Sequence, residues 1–111
     1  MTTALSDLRV LELAGHVAGP FCGKLFASFG TDVIKIEPPG GDVARSLGPF
    51  RDGEPDPEAS GLFLYLNANK RGITLDVQTP HGQGLFRRLV STSDIVVESL
   101  PPGTLEQLGL G

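Results

Sequence analysis

The stretch of sequence that most suggests chemistry is a short basic pair, Lys70 and Arg71, lying between two apolar segments. Asn67 and Asn69 precede the pair and Gly72 follows it, in a chain whose net charge is −4. An ammonium and a guanidinium group side by side are suited to binding an anion such as a phosphate. A solvated charged pair on the surface explains the same residues equally well, so the sequence leaves both interpretations open.

A second candidate anion site is the Gly15–Pro20 turn, which follows a predicted strand and opens a predicted helix. Backbone N–H groups and the positive end of the helix dipole favour a phosphate or carboxylate there. The turn lacks the central glycine of the G-x-G-x-x-G pattern that brings a dinucleotide pyrophosphate close to the backbone. His16 is either a base, a ligand contact or simply a polar loop residue. Glu37, which ends the next predicted strand, is either a ribose-binding acid or a solvated side chain.

Other kinds of catalytic or metal site have no matching pattern in the sequence. Cys22 lies near the start of a predicted helix, where a thiolate can be stabilised, but its apolar neighbours favour a packing role. The sequence contains no C-x-x-C, no H-E-x-x-H and no cluster with metal-ligand spacing, so we expect no metal. It also lacks a G-x-S-x-G elbow and a Walker loop.

Composition indicates an ordinary globular chain of at most one domain. Its 111 residues are 40% hydrophobic and 20% charged, which is enough apolar material for a core. The negative net charge argues against nucleic acid or an anionic membrane as the main partner. No long apolar run and no signal-peptide pattern occur, and the single cysteine suits a reducing cytoplasm.

Apolar runs and turn residues predict alternating strands and helices. Strands are expected at 9–14, 32–37, 73–77 and 94–98, and helices at 21–29 and 61–66, after Thr79 and Pro80, and after Gly103. Phe21, Leu25, Phe26 and Phe29 would form the apolar face of the first helix, and 38–60 would be a long loop. The alternation of helices with strands rich in Val and Ile predicts an α/β fold, in which a parallel sheet is flanked by helices. So few helices would leave apolar surface open, so we expect either the first part of a larger fold or dependence on a partner.

Four linked motifs resemble, in order and spacing, the N-terminal segment of the class III (CaiB/BaiF-type) CoA-transferases. They are "LSDLRVLEL", "AGPFCGKLFASFGTDVIKIEPPGGDVAR", "NANKRGITLDVQTPHGQGLFRRLV" and "SDIVVESLPPGTLEQLGLG". The resemblance covers essentially the whole chain, and four motifs in register are more specific than any one of them.

This resemblance implies a Rossmann-like large domain, of which residues 1–111 would form the N-terminal, CoA-binding part. The second domain and the catalytic segment would lie outside the chain. Members of the family move CoA between carboxylic acids through an aspartate that carries the acyl group as a mixed anhydride. That aspartate matches no residue here, so no catalytic residue is expected within 1–111. The resemblance further implies CoA as a substrate, no metal, a cytoplasmic location and an interlocked homodimer that takes acyl-CoA and carboxylic acids.

The resemblance also implies which positions contact CoA. Pro38 and Gln107 stand where some relatives have basic residues, which would leave more of the phosphate contact to Lys70, Arg71 and Arg45. The implied CoA-binding set is His16, Val17, Ala18, Asn69, Lys70, Arg71, Leu75, Ser99, Leu100, Thr104 and Gln107.

Two alternatives remain open at this point. One is that the chain is part of an α-methylacyl-CoA racemase-like enzyme, whose catalytic His and Asp would also lie downstream. The other is a non-catalytic module that binds CoA or a nucleotide. A dehydrogenase with an NAD site is a more distant possibility, because the glycine pattern does not match.

Overall fold

The computed structural model describes residues 5–15, 17–50, 53–56 and 58–110. Its centre is a sheet of four strands in the order β3-β2-β1-β4. All three pairings are parallel, which confirms the predicted α/β fold. The strands are β1 (Arg9–Leu13), β2 (Asp32–Glu37), β3 (Arg71–Thr74) and β4 (Ile95–Glu98).

Helices connect the strands, as parallel pairing requires. The connecting helices are α1 (Ala18–Ser28), α2 (Gly61–Asn67) and α3 (Pro80–Ser91), and a further helix, α4 (Thr104–Gln107), follows β4. From β1 the chain moves outwards to β2 and β3, and then α3 returns it to β4 on the other side of β1. The strand order therefore reverses between β1 and β4, and in open α/β sheets this is where ligands bind, beyond the carboxyl ends of the strands.

The two faces of the sheet differ in chemistry. Alternate residues of β1 and β2 form an apolar core with Phe86 of α3. Its buried members are Leu11, Leu13, Ile34, Ile36 and Phe86. The other face begins with an apolar cluster of Val10, Val33 and Ala27 but continues with charged residues.

Only part of the predicted apolar face of α1 packs on the sheet, since Phe26 contacts the cluster of Val10, Val33 and Ala27. Phe21, Leu25 and Phe29 are 41%, 48% and 53% exposed. The buried residues of α1 are small or compact instead: Gly19, Pro20, Gly23 and Ala27. Small residues let a helix backbone approach a sheet closely, and this outweighs the helical periodicity of the large side chains.

Several boundaries differ from the predicted ones. β3 begins at Arg71, two residues earlier than expected, so Arg71 lies in the strand and pairs with Ile34. The predicted long loop contains a 3₁₀ turn, Val43–Ser46, whose first residues are capped by the Asp42 side chain. The helix start at Thr79 is confirmed, because its hydroxyl accepts the Gly82 N–H at 3.0 Å. Among the described residues, no helix has the length and apolar character needed to cross a membrane.

Candidate functional site

A cleft of about 390 Å³ lies at the carboxyl ends of β1, β2 and β4. One wall is the end of β1, Leu13 to Gly15, and a second is the segment after β4, Ser99 to Pro101. The third wall follows β2 and includes Glu37 and the loop up to Val43. The cleft therefore occupies the point where the strand order reverses.

Among the described residues of the implied CoA set, Ser99 and Leu100 line this cleft. The Ser99 hydroxyl accepts the Gly15 N–H at 3.2 Å, and the Ser99 N–H donates to the Leu13 carbonyl at 3.3 Å. These bonds fasten the segment after β4 to the end of β1. Leu100 also packs against the apolar core.

The other implied residues that follow β1, β3 and β4 and that the structure describes are not among the residues that line the cleft. Val17 precedes α1 and offers no side-chain cap, and Ala18 begins the helix; both are exposed. The Leu75 N–H, just beyond β3, donates to the Glu37 carbonyl at 2.9 Å. Thr104 and Gln107 begin and end α4. His16 lies outside the described residues.

The predicted role of Lys70 in binding phosphate is not supported by its surroundings. Its side chain is 1% exposed, and its ammonium contacts three oxygen atoms of the protein. These are Glu12 Oε1 at 2.6 Å, Asn67 Oδ1 at 2.7 Å and the Pro20 carbonyl at 2.9 Å. Three donors with three acceptors leave none for a ligand. Burial lowers the pKa of Lys70, and the hydrogen bond to Glu12 opposes this.

Arg71 and Asn69 lie at the opposite edge of the sheet from the cleft. Arg71 opens β3 and binds Asp32, the first residue of β2, through Nε–Oδ1 at 2.9 Å and a second bond of 2.6 Å. Burial raises the pKa of Asp32, but hydrogen bonds from Arg71 and Arg9 outweigh it and hold that pKa below its ordinary value. Asn69 is exposed, with φ at 67°, in the turn before β3. Arg71 and Asn69 are therefore not brought to the carboxyl edge.

Glu37 is neither solvated nor available for a ribose. Arg45 donates to both of its carboxylate oxygens, each at 2.7 Å, and the Asp42 N–H donates at 2.7 Å. The Arg45 guanidinium lies over the Phe63 ring, 3.8 Å from its centre. Hydrogen bonding from Arg45 lowers the pKa of Glu37 in spite of burial. Arg45 is therefore engaged by the protein itself, in contrast to the predicted phosphate contact.

Sequence reasoning missed a set of buried charges beneath the cleft. Glu12 and Lys35 face each other from adjacent strands and are 0% and 2% exposed. Asp42, which lines the cleft, is 6% exposed. The sequence did contain a signal for these charges. Glu12 and Lys35 lie inside strands that were expected to be covered on both faces, and a buried charge there needs a partner of opposite charge.

The three buried carboxylates near the cleft, Glu12, Glu37 and Asp42, are each paired with a cation. In the part of the chain that the structure describes, no three His, Cys, Asp or Glu side chains are grouped to hold a metal ion.

Comparisons with known proteins support the family resemblance. The chain is 50% identical to a succinyl-CoA–D-citramalate CoA-transferase of Chloroflexus aurantiacus, over 96% of this chain and 26% of that protein. It is 44% identical to succinyl-CoA:(R)-benzylsuccinate CoA-transferase subunit BbsE of Thauera aromatica, over 95% of this chain and 25% of that one. The chain thus spans about a quarter of the length of these relatives.

A solved structure gives the same result. A CaiB/BaiF family protein from Brucella suis superposes with a TM-score of 0.88 and 40% identity, over all of this chain and 29% of that one. The sequence profile of CoA-transferase family III matches residues 5–111. The chain therefore belongs to CoA-transferase family III, as its four motifs predicted.

Proposed function

We propose that this chain is the N-terminal, CoA-binding part of an acyl-CoA:carboxylate CoA-transferase. The observation that supports it most is the cleft at the reversal of strand order, in a chain of this family. Relatives named as transferring CoA from succinyl-CoA or formyl-CoA match almost the whole chain. CoA is accordingly the proposed substrate.

Within the cleft, CoA is proposed to lie between the ends of β1 and β4. Ser99 and Leu100 would contact it directly, and Val17, Ala18, Leu75, Thr104 and Gln107 would extend the path along the carboxyl edge. The N-terminal turn of α1 opens at this edge, and its dipole favours an anionic group. Lys70, Arg71 and Asn69 are left out of the proposed set, because Lys70 is fully engaged and the others lie at the amino edge.

Catalysis would need a carboxylate from outside residues 1–111. In the proposed reaction that aspartate attacks the thioester carbonyl, CoA thiolate leaves, and the acyl group is held as a mixed anhydride. The acceptor carboxylate then attacks the aspartyl carbonyl of this anhydride and displaces the donor acid as its carboxylate. CoA thiolate attacks the acceptor carbonyl of the new anhydride, which forms the acceptor thioester and restores the aspartate. The role of the present chain would be to bind and orient CoA, which lowers the entropic part of the barrier. We further propose that the enzyme is cytoplasmic and works as an interlocked homodimer.

A transfer assay on the full-length protein tests this function. Succinyl-CoA is supplied with a panel of dicarboxylic acids, and new thioesters are identified by mass spectrometry. Formation of an acceptor thioester together with free succinate is expected. Loss of the α-proton of a branched acyl-CoA to solvent, without transfer, would identify a racemase instead. Binding of CoA with neither reaction would identify a non-catalytic module.

A further inference from the structure

Four buried charged groups form a continuous network directly beneath the cleft. Lys35 binds Glu12 Oε2 at 2.8 Å and Asp42 Oδ2 at 2.9 Å, and Lys70 binds Glu12 Oε1 at 2.6 Å. The two cations balance the two carboxylates. None of the chemistry proposed above uses this network, although buried charges are costly to maintain.

Lys35 connects two walls of the cleft. Besides Asp42 in the wall after β2, its ammonium donates to the carbonyl of Ala14 in the wall after β1, at 2.8 Å. Its side chain is 3% exposed. The ammonium donates hydrogen bonds to Glu12 and Ala14 and lies within ion-pair distance of Asp42 Oδ2, at 2.9 Å. The separation of these two walls is therefore fixed through one ammonium group.

Glu12 and Lys70 fix the position of the Lys35 ammonium: Glu12 binds it, and Lys70 binds Glu12. Glu12 lies in β1 and is completely buried, with one carboxylate oxygen on each lysine. Lys70 is in turn anchored to the Pro20 carbonyl in the first turn of α1 and to Asn67 at the end of α2. The network thus links both central strands, two helices and the loop after β2.

We propose that Lys35 is a positioning residue for CoA binding, which sets the distance between the Ala14 and Asp42 walls, with Glu12 and Lys70 as its fixed support. This inference rests on the proposed CoA-binding function. Lys35 does not contact CoA in this account; it acts through Ala14 and Asp42.

A charge-balanced variant tests the proposal without leaving an unpaired buried ion. Lys35→Met/Asp42→Asn removes one cation and one carboxylate, and Asn still caps the Ala44 N–H as Asp42 Oδ1 does at 2.9 Å. Replacing a buried ion pair by neutral groups is compatible with folding. The matched control, Arg9→Met/Asp32→Asn, removes the ion pair whose Nε–Oδ2 distance is 3.1 Å at the amino edge.

Amide hydrogen exchange measured by NMR reports the wall position. In the Lys35→Met/Asp42→Asn variant, residue 42 and Ala44 amides are expected to exchange at least about tenfold faster, relative to amides within α3 on the opposite face. The control variant should leave these relative rates unchanged. Unchanged exchange rates at residue 42 and Ala44 would overturn the proposal. An equal rise in the exchange rates of the α3 amides would also overturn it, since the network would then contribute to global stability alone.

Titration with CoA, on the same proteins, reports the consequence for binding. The Kd of the Lys35→Met/Asp42→Asn variant is expected to rise at least about tenfold and that of the control to stay near wild type. Equal Kd values for all three would overturn the positioning role. Absence of CoA binding by the wild type would instead contradict the proposed function, and the exchange rates alone would then decide whether Lys35 fixes the walls.

Discussion

At the scale of single residues, the charged side chains near the site are paired with other groups of the protein. Lys70, whose sequence setting suggested an anion site, is buried against Glu12 and two other oxygen acceptors. The glycine of α1 nearest to that pair, Gly23, has no room for a side chain: an added Cβ would overlap Glu12 Oε1. A polar turn in a sequence therefore indicates charge but not whether the charge faces a ligand or the interior.

Replacing Gly23 with Ala is expected to destabilise the protein by about 2 kcal/mol, because the Cβ displaces Glu12 or moves α1 away from the sheet. Urea unfolding measures the change. Gly84→Ala in α3 is the matched control, since nothing lies within 4 Å of its added Cβ. It should gain about 0.5 kcal/mol from helix propensity. Equal effects of the two substitutions would show that the space around Gly23 is not limited by Glu12.

Removing the charge of Glu12 is expected to be more costly. Glu12→Gln leaves Lys35 and Lys70 without their shared carboxylate and should reduce the free energy of unfolding by about 3 kcal/mol or more. The exposed Glu106→Gln in α4 should change it by less than about 0.5 kcal/mol. A Glu12→Gln variant as stable as the wild type would mean that the buried network contributes nothing to folding.

At the scale of elements, the wall after β2 is held by a pH-sensitive contact. Glu37 ends the strand, accepts two hydrogen bonds from Arg45 at 2.7 Å, and has a lowered pKa for that reason. Arg45 in turn belongs to the 3₁₀ turn, so the turn is fastened to the sheet through this carboxylate.

This contact predicts the direction of an acid-induced loss of stability. Because the pKa of Glu37 is lower in the folded protein than its ordinary value of 4.5, its contribution is complete above that value and declines as the pH falls through the folded pKa. The free energy of unfolding, measured by urea titration from pH 7 to pH 3, should therefore fall less steeply below pH 4.5 in Glu37→Gln than in the wild type. Exposed Glu54→Gln should follow the wild-type curve. Parallel curves for Glu37→Gln and the wild type would contradict the contact.

The elements were predictable to different degrees, for physical reasons. The strands and α3 follow from apolar runs and from Thr79 and Pro80 as helix-start signals, so the parallel sheet could be predicted. The packing face of α1 could not be predicted. It depends on how closely Gly19 approaches Ala14 and Gly23 approaches Glu12, and these contacts form only once the helix lies against the sheet. The start of β3 was misplaced because Arg71 and Gly72 carry no strand signal and are held there by pairing with β2.

At the scale of the whole molecule, the cleft follows from topology. Strands that run in parallel bring their carboxyl ends to one edge, and the reversal between β1 and β4 opens a gap there. Ser99 and Leu100, which the family motifs indicated as CoA contacts, line the cleft at this edge, and their contact with CoA stays a prediction. They did not indicate the buried charges, since pairing between Glu12, Lys35 and Asp42 appears only when the strands are placed side by side.

Calorimetric titration with CoA tests the central claim most directly. Ser99→Tyr places a ring where Ser99 lines the cleft, and exposed Ser91→Tyr, at the end of α3, is its control. The account predicts that wild type and Ser91→Tyr bind CoA alike and that Ser99→Tyr binds at least about tenfold more weakly, a loss of about 1.4 kcal/mol. Binding of equal strength in all three proteins would contradict the assignment of CoA to this cleft.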